Sequence, residues 1–170
     1  MKRKEIRKFI KNMKQKRDWK VLLLSLFFVY FTAFIGSLFT TNAVNSSWYQ
    51  SVKPVITPPN FIFPIVWNVL FFLIALSIYF SFTSAKTEKI KQKVIIFFGI
   101  NLILNSIWSC LFFGLQNPLL ALIDLVLLLA SIIWLFVFTK RINVKAMWLL
   151  APYFFWVCFA GVLNAIIAFS

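Results

Sequence analysis

Apolar residues fall into five long runs, at about 21–40, 60–82, 94–115, 118–139 and 146–169, parted by short polar or proline-bearing connections. Each run is near the ~20 residues a helix needs to cross a bilayer core at ~1.5 Å per residue. They are too long and too continuously apolar for strands, so each predicts a transmembrane helix. The pattern therefore predicts an all-α integral membrane protein, a five-transmembrane-helix bundle over 21–170, preceded by a separate segment, 1–20.

The first connection breaks the pattern. From Trp48 to Trp67 the chain reads W-Y-Q-S-V-K-P-V-I-T-P-P-N-F-I-F-P-I-V-W, holding Pro54, Pro58, Pro59 and Pro64 of the six prolines. Pro58 and Pro59 suit a helix start, where a fixed φ helps and a missing N–H costs nothing. Long irregular connections in compact proteins tend to be lids or binding loops. The segment is thus expected to cover a pocket between helices. By contrast, Gln116-Asn117-Pro118 predicts a tight helical hairpin, with Pro118 opening the fourth span.

Composition agrees with a membrane protein: 62% of the 170 residues are hydrophobic and only 13% charged, about half the usual charged fraction. The net charge of +14 raises nucleic-acid binding, but its distribution argues against it. Ten of the eighteen Lys and Arg lie in the first twenty residues, and most others flank the second and fourth connections. Lys53 alone sits in the first connection, and none follows Lys145. The positive-inside rule then puts the N-terminus in the cytoplasm, with the proline-rich segment and the C-terminus outside. The expected location is the cell membrane of a prokaryote. The basic segment places Ile6, Phe9, Ile10 and Met13 at roughly helical spacing. Two readings stand: an amphipathic helix on an anionic leaflet, or a solvated tail that only orients the chain.

The chain has no histidine, which removes histidine-based triads, histidine zinc sites and histidine haem ligation. No metal is expected. Cys110 and Cys158 lie inside apolar runs without metal or disulfide spacing, as buried thiols do.

Polar residues at membrane depth are costly unless paired, so they point to function. The third span carries Asn101, Asn105 and Trp108 on one helical face. The fourth carries Asp124, the second Trp67 and Asn68, the fifth Tyr153, Trp156 and Asn164. At ~1.5 Å per residue Trp67, Asn101, Asn105, Trp108, Asp124 and Trp156 lie roughly 9 to 20 Å below the boundary on the proline-rich side. Trp108 and Asp124 are the shallowest, Asn101 and Trp156 the deepest. One layer on the side of the lid predicts one pocket. Simpler roles stand beside this: Trp19, Trp48 and Trp148 suit an interfacial belt, and the asparagines suit interhelical hydrogen bonds of about 1 kcal/mol. Asp124 suits either a neutral interhelical bond or a pocket wall. Indoles, an amide and several Phe with few charges fit a large flat aromatic ligand better than a sugar or an ion.

W-Y-x-x-x-K-P-x-x-x-P-P (Trp48 to Pro59) followed by Trp67 resembles the first loop and second helix of the tryptophan-rich sensory protein/translocator protein family, TspO. N-x-x-x-N-x-x-W-S-x-L-F-F-G (Asn101 to Gly114) resembles its third helix, and P-Y-F-F-W-V-x-F-A-x-x-L-N (Pro152 to Asn164) its fifth. The match runs over about 22–169. The resemblance implies a compact five-helix bundle, often a homodimer, that binds tetrapyrroles such as protoporphyrin IX or haem and benzodiazepine-site aromatic ligands. It needs no cofactor. By motif position Trp67, Asn101 and Trp156 correspond to pocket residues, with Tyr49, Pro58, Phe71, Asn105, Trp108, Asp124 and Ala160 completing the lining.

Three activities follow as expectations: a tetrapyrrole receptor or sensor, which the residues favour; light-dependent porphyrin breakdown using Trp67 and Trp156; or transport of tetrapyrroles or other apolar solutes. Two positions depart from the family. Ile56 stands where a loop tryptophan is usual, so Ile56→Trp is expected to tighten binding if that position grips ligand. The fifth helix ends without the basic residue of the animal sterol motif, so sterol binding is not expected.

Overall fold

A computed structural model describes residues 18–170, and among these all regular structure is helical. The basic segment over residues 1–17, with its two readings, lies outside the described residues. The elements are α1 (Trp19–Thr40), a 3-10 turn (Ala43–Asn45), α2 (Ser47–Val52), α3 (Ile62–Ser84) and α4 (Glu88–Ser109). A π-helical turn (Cys110–Gly114) continues α4, and α5 (Pro118–Lys140), α6 (Val144–Leu149) and α7 (Ala151–Phe169) follow. Grouped by apolar length they make five candidate membrane spans: Trp19–Asn45, Ile62–Ser84, Glu88–Gly114, Pro118–Lys140 and Val144–Phe169.

The ends of these helices are set by capping groups that hydropathy does not register. α1 begins at Trp19, where the Asp18 carboxylate accepts from Val21 N at 3.4 Å. α4 begins six residues before its apolar run. There Thr87 Oγ1 accepts from Ile90 N at 3.3 Å, and Lys91 Nζ reaches Glu88 Oε1 at 2.7 Å. An acid at a helix start and an i,i+3 ion pair favour helix in a polar stretch. α3 does not start at Pro58-Pro59 but at Ile62, whose N–H donates to Pro59 O at 2.9 Å. Pro64 then falls in its first turn, where no intrahelical N–H is needed.

The fifth span is two helices rather than one. Pro152 has no N–H and its ring would meet the carbonyl four residues back. Accordingly α6 closes with Leu150 N donating to Met147 O at 3.0 Å, and α7 restarts at Ala151. The hairpin at residues 115–118 is also tighter than a simple turn. Leu115 N donates to Cys110 O at 2.8 Å in π register, Gln116 takes φ 49°, and Asn117 Oδ1 caps Leu120 N at 3.0 Å.

α1 packs on α3 and α4, while α5 packs on α4, α6 and α7. The interior is filled by residues such as Val29, Ile74, Phe98, Ile132, Leu135 and Tyr153. The outer surface is equally apolar, with Phe27, Ile123 and Trp134 among its exposed side chains. A bundle apolar on both sides gains little from the hydrophobic effect in lipid, so packing and interhelical hydrogen bonds hold it. Ser106 Oγ donates to Thr32 O at 3.3 Å (α4 to α1), and Ser77 Oγ to Ala146 O at 2.7 Å (α3 to α6). Close approach also decides Gly36, where a Cβ would stand 3.3 Å from Ser109 Oγ.

Candidate functional site

The proline-rich connection closes over one end of the bundle. Ser46 caps α2, its Oγ accepting from Tyr49 N at 3.2 Å. Gln50 Nε2 and Asn60 Nδ2 both donate to Val44 O, at 2.8 and 3.4 Å, tying α2 and the approach to α3 onto the 3-10 turn. Tyr49 is buried edge-on against Phe113 and Phe112, with ring centroids 5.5 and 6.3 Å away. Burial raises its phenol above the ordinary pKa of 10.0, so it stays neutral. Trp48 is half-buried on Phe112 at 5.6 Å, unlike Trp19 and Trp148, which remain exposed near helix ends.

Beneath this roof is a cavity of about 590 Å³, within the range of small-molecule sites. Tyr49, Trp67, Phe71, Asn105, Trp108, Trp156 and Ala160 all line it. Trp67 stacks on Phe71 (5.2 Å, 29°) and meets Tyr153 edge-on at 6.2 Å. Trp108 stacks on Phe112 (5.1 Å, 17°), and its Nε1 donates to Asn164 Oδ1 at 3.0 Å. Asn164 Nδ2 in turn donates to Pro118 O at 2.8 Å. The indole of Trp156 sits between Phe63 and Phe159, both at 5.7 Å. Its Nε1 is buried without a hydrogen-bond partner among the described residues. Thr57 Oγ1, from the roof, is in the same condition.

Three expected contacts lie off the cavity wall. Asn101 is fully buried in a ladder beside the cavity: Asn105 Nδ2 donates to Tyr153 OH (3.3 Å), which donates to Asn101 Oδ1 (3.2 Å). Asn101 Nδ2 then donates to Ser131 Oγ at 2.7 Å. Both ends of its amide are thus engaged, and it braces Tyr153 and Asn105. Asp124 is buried on α5, and its Oδ2 has no hydrogen-bond partner among the described residues. Pro58 is half-buried, but the turn in which Thr57 N donates to Pro54 O (3.0 Å) brings Thr57, not Pro58, to the wall. Ile56 is 57% exposed on the same turn. This revises the expectation for that position: Ile56→Trp should change the affinity of the cavity for a flat aromatic ligand less than twofold, as Asp124→Asn should, both read by equilibrium titration. A tenfold change in either would mean the wall is drawn wrongly.

The wall also contains residues that the sequence did not assign to a pocket. Phe112 and Phe113 come from the π-helical turn, a local widening common at functional sites. Ser37, Thr40 and Thr41 line it from the end of α1. The only sequence signal for these was a cluster of hydroxyl side chains closing an otherwise Phe- and Leu-rich helix.

Fold and cavity together define a polytopic membrane protein with a roofed, aromatic-lined chamber between its helices. The family model described as TspO/MBR family matches residues 24–169, and the chain belongs to that family. It is 40% identical to the tryptophan-rich protein TspO of Archaeoglobus fulgidus over 144 residues, 84% of this chain and 92% of that one. The tryptophan-rich sensory protein of Cereibacter sphaeroides is 31% identical over 86% of this chain and 89% of its own. The human translocator protein is 30% identical over 77% of this chain and 78% of its own. The protein is therefore an integral membrane protein of the sensor and translocator type.

Proposed function

We propose that the protein is a membrane receptor or sensor for tetrapyrroles, protoporphyrin IX first and haem second, and that the same chamber takes benzodiazepine-site aromatic ligands. The observation that carries this reading is the chamber itself. Trp67, Trp108 and Trp156 line about 590 Å³ together with Phe side chains, and the Trp156 N–H is left without a partner among the described residues. Ring faces supply stacking and burial for a flat macrocycle, and an unmatched buried donor favours a ligand bearing an oxygen acceptor at its edge. The basic residues of the second and fourth connections support a roof on the outer side of the membrane.

Titrating protoporphyrin IX into the protein in lipid nanodiscs, and following both tryptophan quenching and the porphyrin absorption band, tests this. Saturable quenching with one porphyrin per chain is expected. Quenching that rises linearly with porphyrin, as in protein-free discs, would remove the assignment. A second reading rests on the two indoles, Trp67 and Trp156, that face the same chamber. Under illumination, porphyrin loss that disappears in Trp67→Phe/Trp156→Phe would mark the ligand as consumed rather than only sensed.

A further inference from the structure

The residues that line the chamber divide sharply by exposure. From the roof, Tyr49 is buried and Val44, Thr57 and Asn60 are half-buried. From α4, the π-helical turn, α5 and α7, every lining residue is buried or half-buried. The exposed ones are Tyr30, Phe34, Ser37, Thr41, Pro64 and Asn68. All six lie on α1, its capping residue Thr41 included, or on α3. On α1 they recur at i, i+4, i+7 and i+11, one face of the helix, and on α3 at i and i+4. The chamber is thus closed toward the loop and open at its side, between the first two spans, where a membrane protein meets acyl chains.

The chemistry of this slot differs from the rest of the lipid-facing surface. Elsewhere the exposed face of α1 is Leu23, Leu24, Phe27, Phe28, Phe31 and Leu38. Along the slot, Tyr30, Ser37, Thr41 and Asn68 are polar, which lipid alone would penalise. Each donor is folded back on backbone: Ser37 Oγ to Phe34 O (2.7 Å), Thr41 Oγ1 to Ser37 O (2.8 Å) and Asn68 Nδ2 to Pro64 O (2.8 Å). Such back-bonding lets polar side chains face a bilayer at low cost. The lower end of the slot is pinned where Tyr30 OH donates to Asn68 O at 3.2 Å, joining α1 to α3. From there the Tyr30 ring lies on Phe71 (6.4 Å), which stacks on Trp67.

We propose that this slot is the ligand entrance. A flat amphiphile already partitioned into the loop-side leaflet passes between α1 and α3, its polar edge along Ser37, Thr41 and Asn68 and its ring over Tyr30 and Phe71 toward Trp67. The inference rests on the tetrapyrrole reading for the identity of the amphiphile, but the opening itself can be tested without ligand.

Two measurements decide it. In a Cys110→Ala/Cys158→Ala background, a bimane label on Ser37→Cys should be quenched by doxyl-labelled lipid and not by aqueous iodide, and protoporphyrin IX should protect it. In the native background, Ser37→Trp should slow both association and release of lipid-delivered protoporphyrin IX at least tenfold. Val55→Trp, on the fully exposed part of the loop, should leave both rates unchanged. Iodide quenching at Ser37→Cys would place the opening in water and overturn the proposal. So would wild-type exchange rates in Ser37→Trp, or faster release alone, which would mean that Ser37 contacts the bound ligand without gating its passage. Failure of the wild type to bind porphyrin saturably would remove the tetrapyrrole reading while the lipid-quenching result still stood.

Discussion

Replacing Trp156 with alanine is expected to weaken protoporphyrin IX binding about 30-fold, roughly 2 kcal/mol. The physical reason has three parts. The indole offers a ring face to the chamber, and an aromatic contact of this kind adds about 0.5–1.5 kcal/mol beyond its buried area. Its Nε1 is an unmatched buried donor, and a bond to a ligand oxygen is worth about 1 kcal/mol or more. Trp156 is also the one residue shared between the chamber and a lipid-facing groove of about 440 Å³, formed by residues such as Val66, Val69 and Phe155. Removing the indole joins the two spaces and lets lipid tails compete for the wall. Trp156→Phe keeps a ring and loses only the donor, so its loss should be about three- to tenfold. The porphyrin absorption band is the cleaner readout, because the variants lack one of the tryptophan fluorophores. Unchanged affinity in Trp156→Ala would detach Trp156 from the ligand altogether.

Tyr153→Ala is expected to be the most destabilising single change near the site, by about 3 kcal/mol. The side chain is completely buried, at 0% exposure. It supports Trp67 from below and accepts and donates one bond each in the Asn105–Tyr153–Asn101 ladder. Large aromatic truncations in cores cost about 3–5 kcal/mol. The lower figure applies because lipid is as apolar as the interior, which removes part of the transfer term. Tyr153→Phe keeps the packing but leaves two amides short of a partner, for about 1 kcal/mol. Thermal unfolding in detergent should therefore show a shift of about 6–12 °C for alanine and about 2–4 °C for phenylalanine. Equal losses for the two would mean that hydrogen bonds, not packing, dominate at this position. A loss under about 1 kcal/mol for alanine would remove Tyr153 as the brace of Trp67.

The two residues illustrate which parts of the site were legible along the chain. Trp156 stood out because an indole so deep in a span has no interfacial role, and depth follows from counting residues. Asn101 and Asn105 were placed in the same layer by the same counting. Their division of labour was not visible, because depth says nothing about rotation around the helix axis. Asn101 and Asn105 share a face by spacing, yet only Asn105 lines the chamber while Asn101 is occupied by Ser131 and Tyr153. Asp124 shows the same limit, since an acid at the right height does not line the cavity.

Span ends reveal a second limit. Hydropathy measures where lipid is tolerated, whereas helix ends follow capping bonds and proline. The Thr87 cap and the Glu88–Lys91 pair carry α4 out of its apolar run, and Pro152 splits the last span. Ile56 belongs here too: its place in the motif suggested contact, but a turn of a few residues directs Thr57 inward instead.

From the residues alone came the number of spans, the lid-like character of Trp48–Trp67, and the layer of tryptophan and amide side chains on its side. These depend on segment length, local dihedral restriction and rise per residue, all local properties of the chain. The tertiary structure alone decided which of those side chains reach the chamber, that Tyr49 is the buried group of the roof, and that the exposed wall lies between α1 and α3. Those outcomes depend on how each helix is rotated and how closely it meets its neighbours. In a bundle apolar on every face, no hydrophobic stripe records that rotation in advance.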